Sequence, residues 1–399
     1  MKTGLVLSGG GARGAYQVGV LKAIADLHPK HASNPFTIIS GTSAGAINAV
    51  ALAASANNFR LGVKKVEKLW STLHVNRVVK ARAVDLAWNA LKLSSALFNK
   101  GVARHRPLAM LDNEPLRELL SHVVRFNNIQ HRIDAGYLEA VAITATSYAT
   151  GNSVSFFQGN AQLGHWRRNK RIGVPAILDV RHLLASSAIP SVFPAEKIHR
   201  QYFGDGSLRQ LSPLSPALKL GADRIVVIGV RGHSRTSITA RRDHMPSLAQ
   251  TVGHIFNSAF IDSLESDLDN LLRINELAGV IANEAPEFAG RVLKHIDTLV
   301  IRPSVDFDKL ATEHLSDLPR GLRTVLRAMG AGGKSGGGNL ASYLMFESSY
   351  CKELIQYGYS DAMAAADEVR QFFSLQDPSH STQPGASGAA TYVSKQGAA

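Results

Sequence analysis

The sequence contains few residues that could form covalent cross-links or cross a membrane. Cys351 is the only cysteine among 399 residues, which excludes an internal disulfide and favours a reducing compartment. No apolar run approaches the roughly 20 residues of a membrane-spanning helix. No signal peptide is predicted, because cleavage of the apolar N-terminus would remove the first strand and its glycine-rich turn. We therefore expect a cytoplasmic protein whose only membrane contact is peripheral, with a buried, inert thiol.

Acidic residues are scarce relative to basic ones. The chain has 31 Asp and Glu against 44 Lys and Arg, a net charge of +13. The excess is concentrated between Arg60 and Arg106, where eleven basic residues accompany two acidic ones. Such a region indicates an anionic partner, either nucleic acid or an anionic membrane surface. Zinc-ligand spacing, aromatic RNA-binding signatures and helix-turn-helix patterns are missing, so we expect a membrane contact and no nucleic acid.

An apolar stretch lies inside this basic region. Residues 84–98, VDLAWNALKLSSALF, place Val84, Trp88 and Leu91 on one helical stripe. The pattern predicts an interfacial helix that docks on anionic lipid, or an ordinary helix packed against a sheet. The periodicity is the same in both cases, so both alternatives stand.

Apolar runs of strand length alternate with helical patterns over the first part of the chain. This alternation predicts an α/β fold with a mainly parallel central sheet, buried on both faces. After about residue 235 the pattern becomes mostly helical, for example over 247–283, and residues 376–399 have the composition of a disordered tail. The predicted strands are 3–8, 36–41, 138–145, 153–157, 224–230 and 298–301.

A glycine-rich turn follows the first predicted strand. Gly9, Gly11 and Gly14 match the G-x-G-x-x-G spacing of a dinucleotide-binding turn. Such a site also needs an acidic residue about 20 positions further on, at the end of the second strand. The only nearby acid, Asp26, falls within the first predicted helix. The dinucleotide interpretation is therefore disfavoured, and no cofactor is expected.

The second predicted strand ends in a serine flanked by glycines. Gly41, Ser43 and Gly45 form G-x-S-x-G between a strand and a helix, which is the outline of a nucleophile elbow. A simple helix N-cap would also explain Ser43. Adjacent strand–turn–helix units place their turns at the same edge of a parallel sheet. We therefore interpret the N–H groups of the Gly9-Gly10-Gly11 turn as an oxyanion hole for a carbonyl attacked by Ser43.

A serine nucleophile needs a base, and the sequence offers two kinds. His233, His244 and His254 are the candidates for a Ser–His–Asp triad, although each has loop or helix surroundings. Asp205 stands between two glycines, so another side chain could approach it closely, but an exposed Asp-Gly turn has the same pattern. Arg13 adds a cation beside the glycine turn, either acting on the site directly or solvated on a helix surface.

Four sequence blocks, in this order, carry a resemblance to a known family. They are SGGGARGAYQVGVL from Ser8, GTSAGAINA from Gly41, ASSAIPSVFP from Ala185 and GDGSLRQLSP from Gly204. Over roughly residues 3–220 the chain resembles the patatin-like phospholipases, and four blocks in register are more specific than any one alone. The resemblance implies a three-layer α/β/α fold and hydrolysis of acyl esters in lipids, without a metal or another cofactor.

The same resemblance assigns roles by position. It makes Ser43 the nucleophile and Asp205 the base of a dyad that uses no histidine. It assigns the oxyanion amides to the Gly9–Gly11 turn, helped by the N–H of Ala44. Ser207 departs from the family pattern, which usually has Gly or Ala there, and we expect it to tune activity without abolishing it. The remaining motif positions are Arg13, Gly14, Gly41, Gly45 and Gly206.

These observations together predict the organisation and function of the chain. Residues 3–220 form the catalytic domain, with a basic helical insert at about 60–106. Residues 221–375 contribute the last sheet strand and a mostly helical C-terminal region packed on that domain. The expected function is a lipid acyl hydrolase of the phospholipase A type that works through an acyl-enzyme. An acyltransferase with the same dyad and an inactive lipid-binding module are the alternatives.

Overall fold

The computed structural model describes residues 1–80, 109–190, 192–230, 247–286, 293–331 and 338–375. The strands in these segments are β1 (Thr3–Leu7), β2 (Ile38–Thr42), β3 (Ala140–Ser147), β4 (Ser153–Gly159), β5 (Trp166–Arg168), β6 (Arg171–Pro175), β7 (Glu196–Ile198), β8 (Gln201–Asp205), β9 (Arg224–Ile228) and β10 (Asp297–Ile301). The helices are α1 (Gly14–Leu27), α2 (Ala44–Ala53), α3 (Phe59–Ser71), α4 (Val75–Val78), α5 (Glu114–Val123), α6 (Asn127–Asp134), α7 (Val180–Ser186), α8 (Ser215–Lys219), α9 (Leu248–Asn257), α10 (Ser263–Glu284), α11 (Phe307–Glu313), α12 (Arg320–Ala328), α13 (Gly338–Leu344), α14 (Ser348–Ala364) and α15 (Ala366–Phe373).

All the strands of the described segments belong to one sheet. Its order is β10-β9-β1-β2-β3-β4-β6-β5, with β8 paired to β3 and to β7. The neighbours from β10 to β3 run parallel, whereas β4 and β8 are antiparallel to β3. The predicted mainly parallel α/β architecture is confirmed. Because β1 and β2 pair in parallel, with Leu7 opposite Gly41, the turns that follow them lie at the same sheet edge.

Helices cover both faces of the sheet. Successive residues of a strand point to opposite faces, and the central strands are apolar at both. Leu5 and Leu7 of β1 pack in one core cluster with α1, α2, α3 and α14. Val6 packs in a second cluster, with residues of α8 and α10. The molecule is therefore a three-layer α/β/α structure, stabilised mainly by apolar burial on both sides of the sheet.

Helix α14 packs against α1 so closely that glycine is required at the contact. A Cβ atom on Gly19 of α1 would lie 2.0 Å from the carbonyl oxygen of Ile355. A Cβ atom on Gly358 of α14 would lie 2.1 Å from the carbonyl oxygen of Tyr16. The backbones of the two helices therefore meet at two points, and α14 covers the helix that follows the glycine-rich turn.

The predicted strands agree with the observed ones to within two residues at each end. Strands β5 to β8 were not predicted, because they are short and have many polar or exposed residues. The predicted helical segment 247–283 is interrupted by a π-helical turn at Ser258–Asp262. The predicted interfacial stretch 84–98 and the predicted tail 376–399 lie outside the described residues.

The composition predicted that no helix crosses a membrane and that the cysteine is buried and inert. Among the described residues, no helix has both the length and the apolar character needed to cross a bilayer. Cys351 lies in α14 and is fully buried, and this burial raises the pKa of its thiol. A thiol that is both inaccessible and protonated is unreactive.

Candidate active site

Ser43 occupies a strained turn between β2 and α2. Its φ is 55° and its ψ is −124°, a conformation that residues other than glycine rarely adopt. Two glycines make the turn possible. A Cβ on Gly41 would lie 2.3 Å from the carbonyl oxygen of Gly45, and one on Gly45 would lie 2.2 Å from that of Leu7. Ser43 stands at the N-cap position of α2, but its hydroxyl makes no capping hydrogen bond, so side-chain capping does not account for this serine.

A second serine holds this turn in place. The backbone N–H of Ser43 donates to Oγ of Ser186, at 2.9 Å. Ser186 in turn donates to the carbonyl oxygen of Thr144 on β3, at 2.6 Å. Ser186 is completely buried at the end of α7. Ser186 lies in the ASSAIPSVFP block, but its role could not be predicted, because nothing in a serine-rich stretch tells which hydroxyl faces the neighbouring strand.

Asp205 ends strand β8, and its carboxyl is enclosed by the protein. The antiparallel pairing of β8 with β3 brings it opposite Ala145, and the residue has no solvent exposure. Its Oδ1 accepts a hydrogen bond from the backbone N–H of Ser207, at 2.9 Å. Its Oδ2 has no hydrogen-bond partner of ordinary geometry among the described residues. The alternative of an exposed Asp-Gly turn is therefore wrong.

The environment of Asp205 favours its protonated form. Burial raises the pKa of the carboxyl to about 7, against the opposing effects of the Ser207 N–H, the Ser43 hydroxyl and the Ser207 hydroxyl. Ser43 is thus near enough to influence the carboxyl, although no complete hydrogen bond joins them. Contacts between catalytic groups often shorten when the substrate binds.

The glycine turn after β1 lies beside these two residues. A Cβ on Gly9 would lie 2.6 Å from the Phe260 ring and 2.8 Å from Oγ of Ser207, so a larger residue would displace both. Gly11 has a φ of +56°, which favours glycine. Among the described residues, the N–H groups of Gly9 and Gly10 donate no hydrogen bond.

Three further motif positions, Gly14, Gly206 and Ala44, lie around the two turns. A Cβ on Gly14 would lie 2.9 Å from Cβ of Ala44, so glycine lets α1 approach the start of α2. A Cβ on Gly206 would lie 2.1 Å from the carbonyl oxygen of Thr144. Ala44 is the first residue of α2, and the helix itself provides no acceptor for its N–H. Glycine at positions 14 and 206 therefore lets α1 approach the start of α2 and lets the chain after Asp205 approach β3.

Arg13 differs from both sequence-based alternatives. Its side chain is only 3% exposed, so it is not a solvated surface charge. Its hydrogen bonds go to Asp308, Asn339 and Ser342 of the C-terminal region, so its charge is neutralised there and not by the site residues. The sequence could not show this, because the partners lie about 300 positions away.

An apolar pocket opens beside Ser43. Aliphatic and aromatic side chains form most of its wall, and Trp70 is fixed within that wall by donating its indole N–H to Asn48, at 2.7 Å. The remaining lining comes from α2, α3, α4, α5 and the segments around Ile189 and Phe346. This pocket could not be predicted from the sequence, because its residues are spread from Gly11 to Phe346 and have the pattern of ordinary core positions. It provides an environment for an aliphatic chain next to the serine.

The histidine candidates do not complete a triad in the described residues. His254 is exposed on α9, and no hydrogen bond joins it to Ser43 or Asp205. His233 and His244 lie outside the described residues. The buried His182 makes its hydrogen bond to Asp179 at the start of α7. The described residues also contain no group of three or more His, Cys, Asp and Glu side chains placed to hold a metal ion.

Solved structures similar to this chain come from bacteria and from human. VipD from Legionella pneumophila is 14% identical, with 92% of this chain and 67% of VipD covered and a TM-score of 0.36. Human GIVD cytosolic phospholipase A2, solved with a fluorophosphonate inhibitor, is 11% identical over 94% of this chain and 60% of that one, with a TM-score of 0.38. ExoU, solved as a heterodimer with SpcU from the Pseudomonas aeruginosa type III secretion system, is 16% identical over 86% and 68%, with a TM-score of 0.28.

This chain spans about three fifths to two thirds of the length of those solved chains. No curated protein matches its sequence. The family model described as patatin-like phospholipase matches residues 5–218, which is more than half of the 399 residues. That range contains both turns and both candidate catalytic side chains. The chain belongs to the patatin-like phospholipase family.

Proposed function

We propose that this protein is a lipid acyl hydrolase in which Ser43 is the nucleophile and Asp205 is the general base. The observation that carries the proposal is a fully buried carboxyl with a pKa of about 7, close to a serine in a strained turn. Perturbed carboxyl groups of this kind concentrate at functional sites, and here the perturbed group faces a potential nucleophile.

The raised pKa suits Asp205 to accept a proton near neutral pH. An ordinary carboxylate, with a pKa near 3.9, is too weak a base to help a serine hydroxyl efficiently. Burial makes the ionised Asp205 less stable and therefore more basic, while the N–H of Ser207 keeps part of the population ionised. A carboxylate of this basicity can act without a histidine.

The reaction proceeds through two acyl transfers. The Ser43 oxygen bonds to the ester carbonyl carbon as its proton passes to Asp205. The bond from that carbon to the alkoxy oxygen then breaks, and the proton moves from Asp205 to the departing alcohol. Water next gives a proton to Asp205 and attacks the acyl-enzyme. The fatty acid leaves, and Ser43 recovers its proton.

The oxyanion formed in each transfer needs hydrogen-bond donors. The N–H groups of Gly9 and Gly10 donate to no described residue. Ala44 is the first residue of α2, so its N–H has no acceptor within that helix. The N-terminus of this ten-residue helix also favours negative charge. These donors, with Gly11 shaping the turn, form the proposed oxyanion hole. Loss of one such donor typically reduces the rate by about 10²–10³-fold.

The apolar pocket supports esters with an aliphatic acyl chain as the substrate class. Ser43 and Ala44 line it together with Leu69, Trp70 and Phe193. An acyl group placed there puts its carbonyl carbon next to the serine while its chain is removed from water. Burial of a chain contributes about 0.8 kcal/mol per methylene group, so affinity is expected to rise with acyl length until the pocket is filled.

Covalent labelling with a fluorophosphonate tests the proposal. The reagent should modify wild-type protein on Ser43, identified by mass spectrometry of the peptide, and should not modify Ser43→Ala. Purified wild type should release fatty acid from phospholipid vesicles, and Ser43→Ala should not, while both melt at similar temperatures. Labelling with acyl transfer to an added alcohol in place of hydrolysis would indicate an acyltransferase. Lipid binding without labelling would indicate an inactive binding module, and near-native hydrolysis by Ser43→Ala would exclude the dyad.

A further inference from the structure

A buried cation beside the glycine turn has no role in the proposed reaction. Arg13 lies two residues after Gly11, at the end of a single 3₁₀ turn that leads into α1. Its side chain is 3% exposed, yet the contacts that neutralise it come from residues beyond position 300. These contacts lie outside the range matched by the family model, 5–218.

The partners of Arg13 surround its guanidinium from two helices. Asp308 of α11 accepts from one terminal nitrogen at 2.6 Å, and Asn339 of α13 accepts from the same nitrogen at 3.1 Å. Oγ of Ser342 accepts from that nitrogen at 2.7 Å and from Nε at 3.0 Å. Ser342 also lies 2.8 Å from the Asp308 carboxylate, so the three polar groups form one network.

An aromatic ring and a backbone contact complete the arrangement. The guanidinium carbon lies 4.0 Å from the centre of the Tyr343 ring, within the range of a cation–π interaction. On the other side, a Cβ added to Gly11 would lie 2.2 Å from the carbonyl oxygen of Tyr343. The glycine turn therefore rests directly on the backbone of α13 and is joined to it again through Arg13.

We propose that Arg13 is a positioning residue, and that with Asp308 and Ser342 it clamps the Gly9–Gly11 turn against α11 and α13. The inference rests on the oxyanion role proposed for that turn. Under it, the C-terminal helices are part of the active-site framework, because they fix the direction of the N–H groups that meet the oxyanion. A positioning error of about 1 Å can reduce a rate about 10²-fold.

The charge of Asp308 is the part of the clamp that can be removed with least change of shape. Asp308→Asn retains the size of the side chain but leaves Arg13 buried without its counter-ion. With a short soluble ester, we expect kcat/KM to fall by about 10-fold to 100-fold, mostly through kcat. Inhibition by a trifluoromethyl ketone, which forms an oxyanion on the enzyme, should weaken by the same factor. Binding of the product fatty acid should stay unchanged.

A matched control separates the clamp from a general loss of stability. Glu265→Gln breaks the ion pair between α10 and Arg302, at 2.8 Å, which also lies in the C-terminal half. It should leave kcat/KM and ketone inhibition at their wild-type values. If Asp308→Asn does not fold, Ser342→Ala removes only the hydroxyl contacts, and we expect a loss of up to about 10-fold with the same division between kcat and KM.

Amide hydrogen exchange over residues 8–14 tests the clamp independently of catalysis. Exchange there should be faster in Asp308→Asn, or in Ser342→Ala, than in wild type and in Glu265→Gln. Unchanged exchange, or faster exchange with wild-type kcat and wild-type ketone inhibition, would overturn the positioning role. If wild type shows neither fluorophosphonate labelling nor hydrolysis, the proposed function fails, and the exchange measurement still decides whether the clamp exists.

Discussion

At the residue scale, Asp205 combines complete burial with an unsatisfied carboxylate oxygen. A carboxyl in such a place normally costs stability when it ionises, and stable proteins seldom keep one without a partner. Under the proposed function, its position beside Ser43 gives a reason for this cost. We therefore expect replacement of Asp205 to lower the activity and to raise the stability of the fold.

Replacement of Asp205 by asparagine should nearly abolish hydrolysis. Asp205→Asn keeps the shape and the Oδ1 acceptor for the Ser207 N–H, but it cannot take a proton from Ser43. We expect kcat/KM to fall by about 10³-fold or more, comparable with Ser43→Ala, because paired catalytic residues act as a unit. Assays with a soluble ester measure this. The control His254→Ala should stay near wild type, and a loss equal to that of Asp205→Asn would indicate a triad.

The pH dependence of hydrolysis should report the ionisation of Asp205. The base must be deprotonated to act, so kcat/KM should rise with pH and reach half of its maximum near the pKa of about 7. Ser207→Ala removes a hydroxyl that lowers this pKa, so the midpoint should move to higher pH. A wild-type midpoint near pH 4, or no shift in Ser207→Ala, would contradict the assignment.

The same pKa predicts that Asp205→Asn stabilises the fold at neutral pH. The folded pKa of about 7 exceeds the unfolded value of about 3.9, so between these values the unfolded chain holds fewer protons than the native state. Stability therefore falls as pH rises through this window, by an amount on the order of a few kcal/mol. Thermal melting should show Asp205→Asn above wild type at pH 8 and level with it at pH 4. Equal melting temperatures of the two proteins at pH 8 would mean that ionisation of Asp205 does not destabilise the fold.

At the scale of the elements, the contact between α1 and α14 supports the site from outside the sheet. Helix α1 begins at the end of the glycine turn, and its far side meets α14 through Gly19 and Gly358. Any movement of α14 away from α1 would also change the packing behind the candidate oxyanion hole. The glycines at this contact are thus required by the packing of two helices, away from the two turns of the candidate site.

Gly358→Ala should destabilise the protein. The added methyl group would lie 2.1 Å from the carbonyl oxygen of Tyr16, so the two helices would have to separate. We expect a loss of about 1–3 kcal/mol in the free energy of unfolding, measured by denaturant titration. Gly279→Ala is the matched control in α10, because no atom lies within 4 Å of its added methyl group. There, higher helix propensity should stabilise by up to about 1 kcal/mol, and an equal loss at both positions would disprove the close contact.

At the scale of the whole molecule, the net charge of +13 is distributed unevenly. The described part of the basic region includes α3, where Lys64, Lys65 and Lys68 are exposed, and Arg77 and Lys80 nearby. Lys80 pairs with Asp112 and Lys65 contacts Ser55, so not all of this charge is available to a partner. The membrane contact expected from the sequence stays a prediction.

Neutralising the basic region should weaken binding to anionic vesicles. The variant changes Lys64, Lys65, Lys68, Arg77, Lys80 and Arg82 to glutamine, and each charge near an anionic surface contributes about 1 kcal/mol. In sedimentation assays, wild-type binding should also fall as salt increases. Hydrolysis of a short soluble ester should stay unchanged. As a control, neutralising the exposed Lys219, Arg273 and Lys352 instead should have less effect on vesicle binding. Equal, salt-insensitive binding by wild type, the basic-region variant and this control would exclude docking through the basic region.

The sequence by itself determined the fold class and the two turns. The apolar strands β1, β2, β3 and β9 are buried on both faces, so their local patterns and their final environments agree. The local pattern also agrees with the final environment at Ser43, because the two glycines around it are required by contacts within its own turn and with the adjacent strand. Asp205 needed the family resemblance, since an Asp-Gly dipeptide alone is typical of an exposed turn.

Only the tertiary structure decided what surrounds these residues. For Arg13 the sequence left open a direct role at the site or a solvated surface charge, because local sequence does not contain its partners, which come from α11 and α13. The apolar pocket and the support of Ser43 by Ser186 likewise join segments more than a hundred positions apart. The physical reason is that burial and electrostatic pairing depend on which segments the sheet brings together, whereas periodicity and turn geometry depend on neighbours along the chain.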